Sequence, residues 1–142
     1  MGFLKISKGQ SNYQEQDIKD CSFCKIIIES KPGIILAENE DVVVIKSGAP
    51  CAPVHYLIIS KKHIVDLGYL THADHQLAAS FLMMAQELSQ QDSENRQFRL
   101  VNNNGLLVGQ TVFHTHFHFL SGKELPDTDY TLMGPDRILN EE

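Results

Sequence analysis

Polar and apolar side chains alternate with period two over His114-Thr115-His116-Phe117-His118-Phe119-Leu120. Period two is the repeat of a β-strand, in which successive side chains leave on opposite faces. The strand predicted here starts near Phe113. It sets His114, His116 and His118 along one face, each about 7 Å from the next, with Thr115, Phe117 and Phe119 on the other. Shorter apolar runs at 34–37, 42–45, 55–59 and 98–101 predict further strands. Glu38-Asn39-Glu40-Asp41 has turn chemistry, so the first two of these form a hairpin. Between the third and fourth runs the spacing changes to that of a helix. Leu77, Phe81, Met84 and Leu88 fall on one stripe, flanked by Ala78, Leu82 and Ala85. Thr71 caps its start, Asp74 lies in its first turn, and the polar residues 89–96 end it. His72 and His75 are expected in solvent. The methionines are core filling. Residues 1–16 read as a loosely held arm and 17–142 as the domain. The polar tail after Gly122 carries at most a short strand at 130–133.

Composition narrows the classes of partner. At 142 residues the chain fits one domain with a core of its own. The net charge of -6 argues against a general nucleic-acid or membrane-surface binder, since either needs a basic face. No apolar run approaches membrane-spanning length, and residues 1–16 lack the core of a signal peptide. A cytoplasmic location is the expectation. Three cysteines do not make a secreted disulfide framework.

The histidines are concentrated, with three of the seven within five positions. A single strand histidine is usually structural. A row of three needs partners for every ring, and it suits either a metal or a nucleophilic imidazole flanked by helpers. Cys21-Ser22-Phe23-Cys24 has the spacing of half a zinc site, with buried thiols or a redox pair as the competing readings. The completing ligands would be histidines, because Cys51 stands alone. His55 and His63 bracket one predicted strand. Directly upstream of the histidine strand, Asn102-Asn103-Asn104-Gly105 and Gly109-Gln110-Thr111 are rich in residues that present amide and hydroxyl donors to an oxyanion, or that simply build turns.

His114-Thr115-His116-Phe117-His118-Phe119-Leu120 resembles the signature of the histidine triad (HIT) nucleotide-binding proteins. Asn103-Asn104-Gly105 and Gly109-Gln110-Thr111 fall where that family has its phosphate loop. Residues 55–64 resemble its strand with two histidines, and Cys21-Ser22-Phe23-Cys24-Lys25-Ile26-Ile27 the start of its zinc-containing bacterial members. The resemblance spans residues 21–122, in the family's order. It implies an α+β fold: a five-stranded antiparallel sheet, one long helix and a short N-terminal helix, paired as a homodimer. It implies that His116 attacks the α-phosphate of a purine nucleotide (AMP-like) ligand. A nucleotidyl-histidine forms, and water then releases the nucleoside monophosphate. His118, His55, Ser47, Asn103, Gly109, Gln110 and Thr111 would bind nucleotide or phosphate, with His55 hydrogen-bonded near His116. Cys21, Cys24, His63 and His114 would hold a structural zinc. Four protein ligands close the tetrahedron and leave no position for a reacting water.

The chain departs from the family at several points. Ser47 stands where many members carry an acidic residue that grips the ribose, and an uncharged hydroxyl makes weaker bonds. Ser60 replaces a frequent proline, and Thr115 a more apolar residue. The tryptophan-containing end of the phosphoramidase branch is missing, and the chain has no tryptophan. Cleavage of a nucleoside phosphoramidate or a dinucleoside polyphosphate is the leading expectation. A non-catalytic nucleotide-binding homodimer and a zinc-dependent hydratase or hydrolase are the alternatives.

Overall fold

The chain forms a five-stranded antiparallel sheet in the order β1-β2-β3-β5-β4, with one long helix on one face and a short helix on the other. The structure is a computed structural model in which residues 18–125 are described. The expected arm (1–16) and the strand expected at 130–133 lie outside those residues. The strands are β1 (Ala37–Glu38), β2 (Val42–Lys46), β3 (Val54–Ser60), β4 (Phe98–Val101) and β5 (His116–Ser121). The helices are α1 (Ser22–Glu29) and α2 (His75–Gln91).

Pleating sorts the side chains into two layers. Val42 and Val44 of β2, Ile58 of β3 and Phe119 of β5 pack against Leu77, Phe81, Met84 and Leu88 of α2. The stripe expected from the sequence is therefore the buried one, and Phe117 adds its ring to Phe81 at 4.8 Å between centroids. Ala85 joins that core, whereas Ala78 and Leu82 are exposed. Val43, Ile45, Leu57 and Ile59 point the other way, onto Phe23, Cys21 and Cys24. Burial on both faces is why β2 reads as an unbroken apolar run rather than an alternation.

Four boundaries differ from the sequence expectation. The first strand is two residues long and starts at Ala37. Ile34 and Ile35 instead pack against the α1 layer, after a turn in which Gly33 has a positive φ of 84°. Thr71 caps a short 3₁₀ turn, His72–Asp74, through a reciprocal capping box with Asp74, and α2 begins only at His75. α2 also runs on to Gln91, and Ser89 is buried within it rather than ending it. The histidine strand begins at His116. His114 N–H turns back to the Val112 carbonyl at 2.9 Å, and Thr115 N–H donates to Ile64 at 2.6 Å. These bonds bend the chain ahead of β5, so His114 sits in the bend rather than in the row.

Candidate functional site

The candidate site residues lie on the α1 face of the sheet. β5 runs between β3 and β4, in register with β3 from Val54↔Ser121 to Ile59↔His116. His116 and His118 therefore leave β5 on the same face as His55, Leu57 and Ile59 of β3. All three rings are buried. Phe23 of α1 meets the edge of the His116 ring, with centroids 5.0 Å apart and planes at 85°. Its position between the two cysteines gave no hint of this contact.

Two hydrogen bonds fix ring protons, because a carbonyl oxygen can only accept and a backbone N–H can only donate. His116 Nδ1 lies 2.8 Å from the His114 carbonyl. Nδ1 must carry the proton there, so Nε2 of the neutral ring bears the lone pair. Cys51 N–H donates to His55 Nδ1 at 3.0 Å. A neutral His55 then has its proton on Nε2, which lies 2.8 Å from His118 Nδ1. His118 accepts at Nδ1 and presents an N–H at Nε2. The hydrogen-bond partner of His55 is thus His118, the next ring along the face from His116.

The upstream loop is braced from within. Gln110 is buried. Its Oε1 accepts from Gly105 N–H at 2.8 Å, and its Nε2 donates to the carbonyls of Val65 and Val112 at 2.7 and 3.1 Å. Gly109 closes the turn Leu106–Val108 with a φ of 103°, which favours glycine. The Asn103 amide lies beside it, 3.7 Å from where a Cβ would be. Thr111 follows on the exposed side of the loop. The three adjacent asparagines do different jobs. Asn102 Nδ2 donates to the His116 carbonyl at 2.8 Å, and Asn104 Oδ1 accepts from Leu67 N–H at 2.6 Å. The sequence showed three turn-forming residues there and nothing to separate them. Ser47 is buried at the end of β2, and its Oγ accepts from Ala49 N–H at 3.2 Å.

Cys21, Cys24, His63 and His114 bring one donor atom each to within 4.8 Å of one another. Cys21 Sγ and Cys24 Sγ stand 3.2 and 3.4 Å from His114 Nδ1, and Cys24 Sγ and His114 Nδ1 each lie 3.1 Å from His63 Nδ1. Donors held roughly 2.0–2.3 Å from one tetrahedral ion stand about 3.3–3.8 Å apart, close to this spacing. His114 Nε2 donates to the Ser60 carbonyl at 2.6 Å, which turns the Nδ1 lone pair toward the other three. Burial pushes the His114 ring down to about 4, against the opposing Ser60 bond and with the help of His63 and His116. Burial raises the Cys24 thiol to about 12, and the neighbouring Cys21 adds to it. The residues therefore fit a soft divalent cation, which would stabilise the thiolate that burial disfavours. Cys21 also caps α1, its Sγ accepting from Cys24 N–H at 3.3 Å. A cleft of about 290 Å³ lined by Asp20, Cys21, His63, Thr111 and Phe113 opens on this flank. It lies beside the cluster of Cys21, Cys24, His63 and His114 rather than at His116.

The sequence profile of the HIT domain matches residues 29–125. An uncharacterized HIT-like protein of Synechocystis sp. is 43% identical over 105 residues, covering 74% of this chain and 92% of the relative. A HIT family hydrolase from Clostridium thermocellum superposes with a TM-score of 0.71 at 36% identity, over 78% of this chain and 97% of that one. A Zn-bound histidine triad family protein from Mycobacterium smegmatis gives a TM-score of 0.65 at 25% identity, over 78% and 80% of the two chains.

Proposed function

The chain belongs to the HIT domain family, and from that premise we propose that it is a nucleotide hydrolase or transferase in which His116 is the nucleophile. The observation that carries the reading is the His116 Nδ1 bond to the His114 carbonyl. It leaves the Nε2 lone pair as the attacking group on a ring that needs no deprotonation. Attack forms a bond from His116 Nε2 to the α-phosphorus of a purine nucleotide. The bond to the leaving amine or phosphate breaks. The leaving group takes its proton from solvent, while His118 Nε2–H donates to a phosphoryl oxygen and is oriented by His55, which donates to His118 Nδ1. Water then attacks the same phosphorus, the bond to His116 Nε2 breaks, the proton of the water leaves to solvent, and the nucleoside monophosphate is released. Asn103 and Thr111 supply donors to the phosphate oxygens. Gly109 and Gln110 serve by holding the loop in shape, since the amide and backbone N–H of Gln110 are already engaged within it. The nucleoside phosphoramidate and the dinucleoside polyphosphate both fit this scheme.

Cys21, Cys24, His63 and His114 would hold a structural zinc, as the resemblance implies and as the donor spacing supports. When bound, the ion supplies cross-linking of α1 to the bend before β5 rather than Lewis-acid chemistry, because all four positions are filled by protein. The homodimer reading is supported by an edge of the sheet: among the described residues β4 is a terminal strand, and Phe98 on it and Leu82 and Met83 on α2 are exposed. Among the described residues no helix is long and apolar enough to cross a membrane, and a cytoplasmic location remains part of the proposal.

Release of AMP from adenosine 5′-phosphoramidate tests the activity. Turnover by the wild type and its loss in His116→Ala are expected. Equal turnover by the two proteins would remove His116 from the reaction. AMP binding without turnover in the wild type would favour the non-catalytic nucleotide-binding dimer.

A further inference from the structure

Asn102 sits one residue past the end of β4 and makes a contact that none of the chemistry above uses. The β4–β5 register ends at Val101↔His118. His116, two residues earlier on β5, therefore has no β4 residue opposite it. On the other edge it closes the β3 ladder against Ile59. Its carbonyl, on the β4 side, is met instead by Asn102 Nδ2 at 2.8 Å. A side-chain amide stands where the next ladder hydrogen bond would be.

The residues around it show why this bond matters. His116 follows directly on the bend at His114 and Thr115, where the chain is tied to Ile64 rather than to a neighbouring strand. Its ring bonds to a carbonyl only two residues away, that of His114. A ring so close in sequence keeps its partner only while the intervening backbone holds its angles. Ile59 pairing and the Thr115–Ile64 bond fix that backbone from one side, and Asn102 fixes it from the other. We infer that Asn102 is a positioning residue for the nucleophile: its amide pins the His116 main chain and so holds the ring in the Nδ1–H tautomer with Nε2 directed at substrate. The inference rests on the reading of His116 as nucleophile, and Asn102 itself touches no reacting atom.

The test uses Asn102→Ala and Asn102→Leu in the full chain, the second filling the same branched volume without a donor. Single-turnover formation of the adenylated protein from adenosine 5′-phosphoramidate gives the rate. Ring nitrogen chemical shifts of His116 report its tautomer independently of any substrate. Both variants are expected to lose about tenfold or more in adenylation rate, to keep AMP affinity within about twofold, and to show a mixture of His116 tautomers. A role in packing alone predicts a wild-type rate in Asn102→Leu. That result, or an unchanged tautomer in both variants, overturns the inference. If the wild type forms no adenylate while the variants still lose the single tautomer, the clamp stands and the nucleophile reading falls. If neither changes, both fall.

Discussion

Loading an ion at different pH values separates Cys24 from His114 among the four proposed zinc ligands. In the bare protein the Cys24 thiol is pushed up to about 12, mainly by burial. It is protonated throughout the neutral range, and an ion that binds it as thiolate must expel that proton. Each proton expelled makes the apparent affinity rise tenfold per pH unit. His114 behaves in the opposite way. Burial holds it near 4, so between pH 6 and 8 its ring is already neutral and adds nothing to the slope. Cys24 alone therefore contributes a factor of about a hundred in zinc affinity between pH 6 and pH 8. Competition with a chromophoric chelator across that range measures the slope. Cys24→Ala should bind zinc more weakly at every pH, with a slope lower by one proton. A slope that is the same in the variant would refute the argument, since Cys24 would then not be the proton donor. A wild-type slope of zero would remove thiolate ligation altogether.

Three other substitutions probe separate parts of the account. Phe81 is buried under the sheet against Phe117. Phe81→Ala should cost about 3–5 kcal/mol in denaturant unfolding, and a loss below about 1 kcal/mol would mean that the stripe on α2 is not the core. Asp74 accepts from Thr71 N–H at 2.8 Å and from Lys62 Nζ at 3.0 Å, and the Thr71 bond foremost holds its carboxyl below the usual range. A depressed carboxylate contributes stability above the unfolded value near about 4 and loses it as pH falls through the folded value. Asp74→Ala should therefore be about 1–2 kcal/mol less stable at pH 7, with the difference shrinking toward pH 2. A constant difference would contradict that linkage. Ser47→Asp restores a charge at the proposed ribose contact. It should favour AMP over 2′-deoxy-AMP by roughly tenfold more than the wild type does, and an unchanged ratio by calorimetry would move ribose recognition elsewhere.

The sheet and the long helix were legible because each keeps one strong period. The α2 stripe at Leu77, Phe81, Met84 and Leu88 and the β5 alternation both follow from burial on a single face. The element ends were not legible, because tertiary hydrogen bonds set them. Ile64 carries the clearest example. Its carbonyl takes Thr115 N–H and Thr115 Oγ1, at 2.6 and 2.9 Å, and so removes His114 from the strand that its sequence pattern suggests. Ser60 is part of the same knot, its Oγ donating to Lys62 and Thr115 and its carbonyl accepting from His114. Its place in that knot was invisible in a residue that looked like a simple change at a turn. Within the site, residue type was enough to gather the histidines, but not to pair them. The alternation placed His116 and His118 together, yet which ring His55 meets depends on the β3–β5 register, with His55 opposite Leu120. Gln110 reads in sequence as a donor to an oxyanion, and its side chain is spent on bracing the loop. Asn102 and Phe23 were missed because their partner is His116 itself, reached by Asn102 across the β4–β5 loop and by Phe23 from the other end of the chain.

Intact mass after brief mixing with adenosine 5′-phosphoramidate tests the central claim most directly. Wild type and His118→Ala, in which water attack is slowed by loss of the donor to the phosphoryl oxygen, should gain one adenylate. His116→Ala should gain none. An adduct of equal yield on His116→Ala would contradict the account, and so would AMP release by the wild type with no adduct on any variant, which would point to direct attack by water.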